Sequence, residues 1–273
     1  MPYQLEPGKM YRMPTHFGPS LGPRQGPGGR KFSCLDNPKT TSVSVSFLSD
    51  RDQLNAMLPA GFEVGERPIV TVTASYIKEI EWLAGRGYNT LGVTFPAVFK
   101  GEVDSARGPF LTVLWENLAD PIITGREDIG FSKIYCELPE PSVCRGRTRC
   151  TAGWLGYKFL DLQVDDLADP TENNPTEPAD GMLHYKYIPK TQFWGEADMH
   201  YAVLTPSETP HRKVIDHQVG KGSVTFHRAK WEDLPTFYTV VNAFADLEVK
   251  ELLGGSVTRT VGGKDLSDQR ILR

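Results

Sequence analysis

The sequence is most informative first in what it lacks. No stretch of the 273 residues approaches the run of about 18 apolar residues that spans a bilayer, so no transmembrane helix is predicted. The N-terminal residues lack the apolar core of a signal peptide. Cysteine is scarce, with only Cys34, Cys136, Cys144 and Cys150. In a chain of this size four cysteines are expected to be reduced thiols of a cytoplasmic protein, not a disulfide framework. Basic residues do not predominate: 30 Lys and Arg face 34 Asp and Glu, for a net charge of −4. A general grip on nucleic acid needs clustered cations, so that class of partner is set aside. Small anionic substrates, which need only one or two placed cations, are not.

Familiar site motifs are absent as well. There is no Gly-x-Ser-x-Gly elbow and no dinucleotide fingerprint opening a helix. His184, His200, His211, His217 and His227 are scattered, and none makes the helical i, i+4 pair of a metalloprotease. Cys144 and Cys150 stand six apart with no nearby histidine pair, a poor zinc site. No metal and no cofactor are expected.

What is present is strand texture. Residues 1–33 are rich in Gly and Pro and read as an N-terminal arm with little core of its own. From Thr40, TTSVSVSFLS alternates polar with β-branched or aromatic residues, the period of a half-buried strand. Ser49 or Asp50 caps a short helix that ends at Pro59 and Gly61. PIVTVTASYI, TLGVTFPAVF, PFLTVLWEN, GWLGYKFLDLQVD, MLHYKYIP, DMHYAVLT, GSVTFH and SVTRTV are further strands. ADPIITGREDIGF reads as a loop, a helical turn and a glycine break. ADPTENNPTEPADG reads as a surface loop, and LPTFYTVVNAFADL is the strongest helix.

Strands are many, helices few, and the two do not alternate. The predicted class is mainly β (α+β), an antiparallel barrel-like β core with a few appended helices. The arm 1–33 is followed by one domain over 34–262 and a polar tail over 263–273.

Chemistry points to residues 125–141, GREDIGFSKIYCELPEP. Lys133 enters an apolar stretch there. A desolvated lysine loses its preference for the ammonium form, and the neutral amine condenses with ketones and aldehydes. By pattern alone, the commoner reading of Lys133 is a strand-edge residue whose amine reaches water.

GREDIGFSK resembles the signature of the acetoacetate decarboxylase family: Gly-Arg-Glu, a small apolar spacer, an aromatic residue and the Schiff-base lysine. SVSVSFLSDRDQLNAMLPAGFEV, the segment from Tyr88 to Glu127, and GSVTFHRAKWEDLPTFYTVVNAFADLEV resemble family segments in the same order. The likeness covers most of residues 40–260. It implies the family's β fold, a cofactor-independent lysine imine mechanism at Lys133 and a homo-oligomer. Three departures stand out. Ile134 occupies the place of the decarboxylase's second lysine, Arg86 falls near the place of its hairpin acid, and Leu48 falls near the place of its first-strand arginine. Such departures resemble the aldolase-dehydratase branch, which joins pyruvate to an aldehyde through a lysine enamine.

The expected roles follow. Lys133 forms the imine with a keto acid. Arg126 or Arg86 binds the carboxylate through its bidentate fork. Tyr76, Tyr88 or Tyr135 donates a proton, or Glu116 acts as acid and base beside Trp115. The expected partners are a small keto acid and an aldehyde, with no nucleic acid and no membrane. Decarboxylation of a bulkier β-keto acid is one alternative. A non-catalytic barrel holding a hydrophobic small molecule is another.

Overall fold

The structure is a computed structural model that describes residues 4–170 and 178–273. The middle of the loop expected at 168–181 lies outside the described residues. The strands are β1 (Lys39–Leu48), β2 (Phe62–Val64), β3 (Ile69–Ile80), β4 (Arg86–Lys100), β5 (Ser105–Glu116), β6 (Lys133–Tyr135), β7 (Ser142–Cys144), β8 (Arg147–Trp154), β9 (Tyr157–Ala168), β10 (Gly181–Pro189), β11 (Ala197–Pro206), β12 (Lys213–Phe226), β13 (Glu251–Val261) and β14 (Arg270–Leu272). Three short helices join them: α1 (Arg51–Asn55), α2 (Ala119–Thr124) and α3 (Tyr238–Ala245). None of the described helices is long and apolar enough to cross a membrane.

All fourteen described strands belong to one sheet, ordered β14-β11-β10-β5-β4-β3-β1-β13-β12-β9-β8-β7, with β2 on β4 and β6 on β5. The path has two ends, so the sheet does not close into the barrel the sequence suggested. Nor is it purely antiparallel. The far edge of β5 takes two parallel partners, β10 at Phe110 and β6 at Leu114 to Glu116. A parallel partner needs a crossover, and α2 with the turn after it supplies the one that returns β6 to β5.

Alternation decides the faces. Along β1, Val43, Val45 and Phe47 are buried, while Ser42, Ser44 and Ser46 pair with hydroxyls of β3 at 2.8–2.9 Å. Asp50 caps α1 by accepting from the amides of Asp52 and Gln53. Two expectations change. The segment GWLGYKFLDLQVD is the β8–β9 hairpin, turning at Leu155 and Gly156 with φ of 45° and 89°. The helix expected from Leu234 begins only at Tyr238, because Pro235 supplies no amide and Phe237 is non-helical. Its register holds: Phe237, Val241, Phe244 and Leu247 are buried. The four cysteines are free thiols.

Candidate active site

Three signature residues explain how the turn positions Lys133. Residues Gly125–Ile129 form a π-helical turn after α2. A Cβ on Gly125 would collide with the Cδ, Cε and Nζ of Lys133, so only glycine lets the lysine lie across this turn. Arg126 donates from Nη1 to the Lys133 carbonyl at 2.9 Å. Gly130, at φ 79°, breaks the turn where a Cβ would strike the Lys186 side chain. The chain then enters β6 beside β5, and Lys133 faces Leu114.

That register aligns Lys133 with Glu116, because residues two apart on a strand share a face. Nζ stands 2.8 Å from Glu116 Oε1 and donates to the Pro121 carbonyl at 3.0 Å. Lys133 is 6% exposed and Glu116 is fully buried. The contact between them is an ion pair with poor hydrogen-bond alignment, and neither Glu116 oxygen has a well-aligned donor. Burial dominates both groups. It lowers the Lys133 pKa, a shift that Glu116 opposes and Arg24 assists, and it raises the Glu116 pKa against the opposing pull of Lys133. Both are driven toward their neutral forms, with one proton to share.

Lys133 opens onto a cavity of about 190 Å³. Tyr88, Ile77 and Ile80 form one side, the arm brings Arg24 and Phe32, and the tail brings Asp265 and Leu266. Tyr88 is half-buried. Its phenol is raised well above the usual range, first by burial and then by the Glu116 charge.

The other expected site residues lie elsewhere. Tyr76 faces away from Tyr88 by strand alternation and is 2% exposed in the core. Trp115 points opposite to Glu116 and packs in an aromatic cluster, 5.3 Å from Phe159 and 6.0 Å from Phe244. Tyr135 is 46% exposed on the surface. Arg86 is exposed, donates to the Leu83 carbonyl at 3.3 Å and does not border the cavity. Arg126 braces the lysine's backbone and does not border it either. The cation near Lys133 is therefore neither of the two expected arginines. It is Arg24, set in an arm whose composition signals only a loop. Nor is the lysine without an acid despite Arg86, since Glu116 supplies one from β5. Ile134 is half-buried and packs against the core.

His184, one of the scattered histidines, supports the turn from behind. It is fully buried, with Nδ1 3.1 Å from the Gly130 carbonyl and Nε2 3.1 Å from Thr205 Oγ1. Nδ1 must carry the proton to donate to the carbonyl. Burial pushes the imidazole down to about 4. No cluster of three His, Cys, Asp or Glu suited to a metal occurs among the described residues.

The sequence model of the family described as Acetoacetate decarboxylase (ADC) matches residues 12–266. That span takes in most of the arm and part of the tail. No curated protein matches the chain. Among solved structures, an acetoacetate decarboxylase-like enzyme from Sphingomonas wittichii RW1 is 18% identical, covers 86% of this chain and 92% of its own, and has a TM-score of 0.61. The acetoacetate decarboxylase from Legionella pneumophila is 16% identical, with coverage of 90% and 92% and a TM-score of 0.62. The enduracididine biosynthesis enzyme MppR, complexed with the condensation product of pyruvate and imidazole 4-carboxaldehyde, is 17% identical, with coverage of 92% and 97% and a TM-score of 0.59. At these identities the likeness is one of fold.

Proposed function

The chain belongs to the acetoacetate decarboxylase family, and we propose that it is a cofactor-independent lyase in which Lys133 forms an imine with a 2-oxo acid such as pyruvate and joins it to an aldehyde. The observation that carries this reading is the buried pair of Lys133 Nζ and Glu116 Oε1 at 2.8 Å beside a small cavity. The amine attacks the ketone carbon, and the carbinolamine leaves its oxygen as water after taking a proton from Glu116. The Glu116 carboxylate then removes a C3 proton from the iminium, leaving an enamine. C3 is bonded to the imine carbon, within reach of a carboxylate that already touches Nζ. The enamine carbon bonds to the aldehyde carbon, and the new alkoxide takes a proton from Tyr88, whose raised pKa keeps the phenol protonated. The Tyr88 phenolate then removes the second C3 proton, and Glu116 returns the proton it took to the hydroxyl, which leaves as water and gives the unsaturated product imine. Hydrolysis frees Lys133.

A second reading, decarboxylation of a β-keto acid, draws on the same pair. A substrate carboxylate placed beside the Glu116 carboxylate would be destabilised, and its loss as carbon dioxide, with the C–C bonding pair passing into the iminium to give an enamine, would relieve it. Borohydride added with pyruvate, or separately with acetoacetate, tests the shared chemistry by intact mass. A gain of one reduced imine, lost in Lys133→Ala, is expected. No adduct with any of a broad set of keto acids would sink both readings and leave a binding protein. Carbon dioxide release separates the two.

A further inference from the structure

Arg24 is 7% exposed, borders the cavity and is held from one side only. Its Nη2 donates to Asp128 Oδ2 at 2.6 Å, whereas Nη1 is buried with no hydrogen-bond partner. An unsatisfied guanidinium N–H out of water costs more than an exposed one, unless a ligand completes it. The other bordering cations are engaged. Lys133 pairs with Glu116, and Lys264 donates to the Pro206 carbonyl and to Asp268, each at 2.6 Å. The remaining charged groups on the cavity are acids. Glu81 has a buried Oε2 without a donor, and Asp265 lies within electrostatic reach of Arg24 without bonding to it.

Resting on the imine reading, we propose that Arg24, carried by the N-terminal arm, holds the substrate carboxylate at Lys133, and that Glu81 and Asp265 exclude a second carboxylate, so the site takes short 2-oxo monocarboxylic acids. The fork geometry suits this. Asp128 fixes the guanidinium through Nη2, and the unsatisfied Nη1 is the donor that a carboxylate oxygen would take up. The arm is pinned to the signature turn, since Arg12 donates to Thr124 Oγ1 and stands 3.8 Å from Asp128. Asp128 thus ties the carboxylate binder to the turn that carries the lysine. A cavity of about 190 Å³ is small for a drug-sized ligand and suits a compact acid. A dicarboxylate would bring its second charge toward Glu81 or Asp265 with one guanidinium already used.

The test is borohydride trapping at varied concentrations of pyruvate, its uncharged ethyl ester and 2-oxoglutarate. Arg24→Gln is expected to raise the half-saturating pyruvate concentration by about 10- to 100-fold and to leave the ester within about threefold. Arg24→Lys recovers part of the loss. Arg12→Gln, which loosens the arm without removing the binder, shifts pyruvate and ester together. Glu81→Gln is expected to improve 2-oxoglutarate trapping by about tenfold. Equal shifts of pyruvate and ester in Arg24→Gln would overturn the carboxylate role. So would a wild-type protein that traps the ester as well as it traps pyruvate, and the imine chemistry would survive that result. Wild-type protein that traps neither would overturn both.

Discussion

Two lysines flank the signature turn, each 6% exposed, and they end in opposite chemical situations. Lys186 Nζ donates to the backbone carbonyls of Glu127 and Asp128 at 2.7 and 3.4 Å. Both contacts are to backbone carbonyls, and the lysine acts as a bolt through the turn. Lys133 Nζ meets one carbonyl and a carboxylate that can accept its proton, and it opens onto a cavity. Burial lowers the pKa of both. Burial alone therefore does not distinguish the two lysines. A neighbouring carboxylate and an adjoining cavity do.

The largest expected effect breaks this symmetry directly. Lys133→Ala should reduce turnover by about 10³-fold or more while the fold is kept, as measured by steady-state rates and circular dichroism. Lys186→Met should do the reverse. It leaves two carbonyls without their donor and should cost about 1–3 kcal/mol in denaturant unfolding, with the imine yield nearly unchanged.

The second effect belongs to the Lys186 side of the turn. His184 has its pKa lowered to about 4 in the folded protein, against 6.5 unfolded. Between those values the unfolded chain binds more protons, so stability falls as pH drops from about 6.5 toward 4 and levels off below. The full loss is about 3 kcal/mol. Urea unfolding across this window reads it, and His184→Gln should flatten the slope.

Two smaller effects sharpen the Lys133 side. Glu116→Gln should lower turnover by about 100-fold by removing the acid and base. It also removes the charge that raises the Lys133 pKa, so the pH profile of imine formation should move to lower pH. A move to higher pH would contradict the assigned coupling. Gly125→Ala puts a methyl where the Lys133 side chain lies. Its backbone is ordinary helix, so the expected tenfold or so loss of kcat would come from a displaced amine and not from strain.

Much of the sheet is legible in sequence because alternation survives wherever one face is buried, as in β1 and β3. The β8–β9 turn is not, since it puts Leu155 at positive φ, a place where leucine gives no turn signal. β6 is only three residues long, too short for a period, and its parallel seat on β5 is a tertiary fact. At the site, Lys133, Glu116 and Tyr88 could each be nominated from residue type and motif. Nothing local distinguishes Tyr88 from Tyr76, because the face each takes is set by register with neighbouring strands. Arg24 is invisible for another reason: its partner Asp128 is 104 residues away, and its own segment has no periodicity.

The most direct measurement is peptide mapping of the borohydride-reduced adduct formed with pyruvate. The account predicts that the label lies on Lys133, that Lys186 is unmodified, and that Lys133→Ala leaves no label on any other residue. A label on Lys186, or an undiminished adduct in Lys133→Ala, would contradict it.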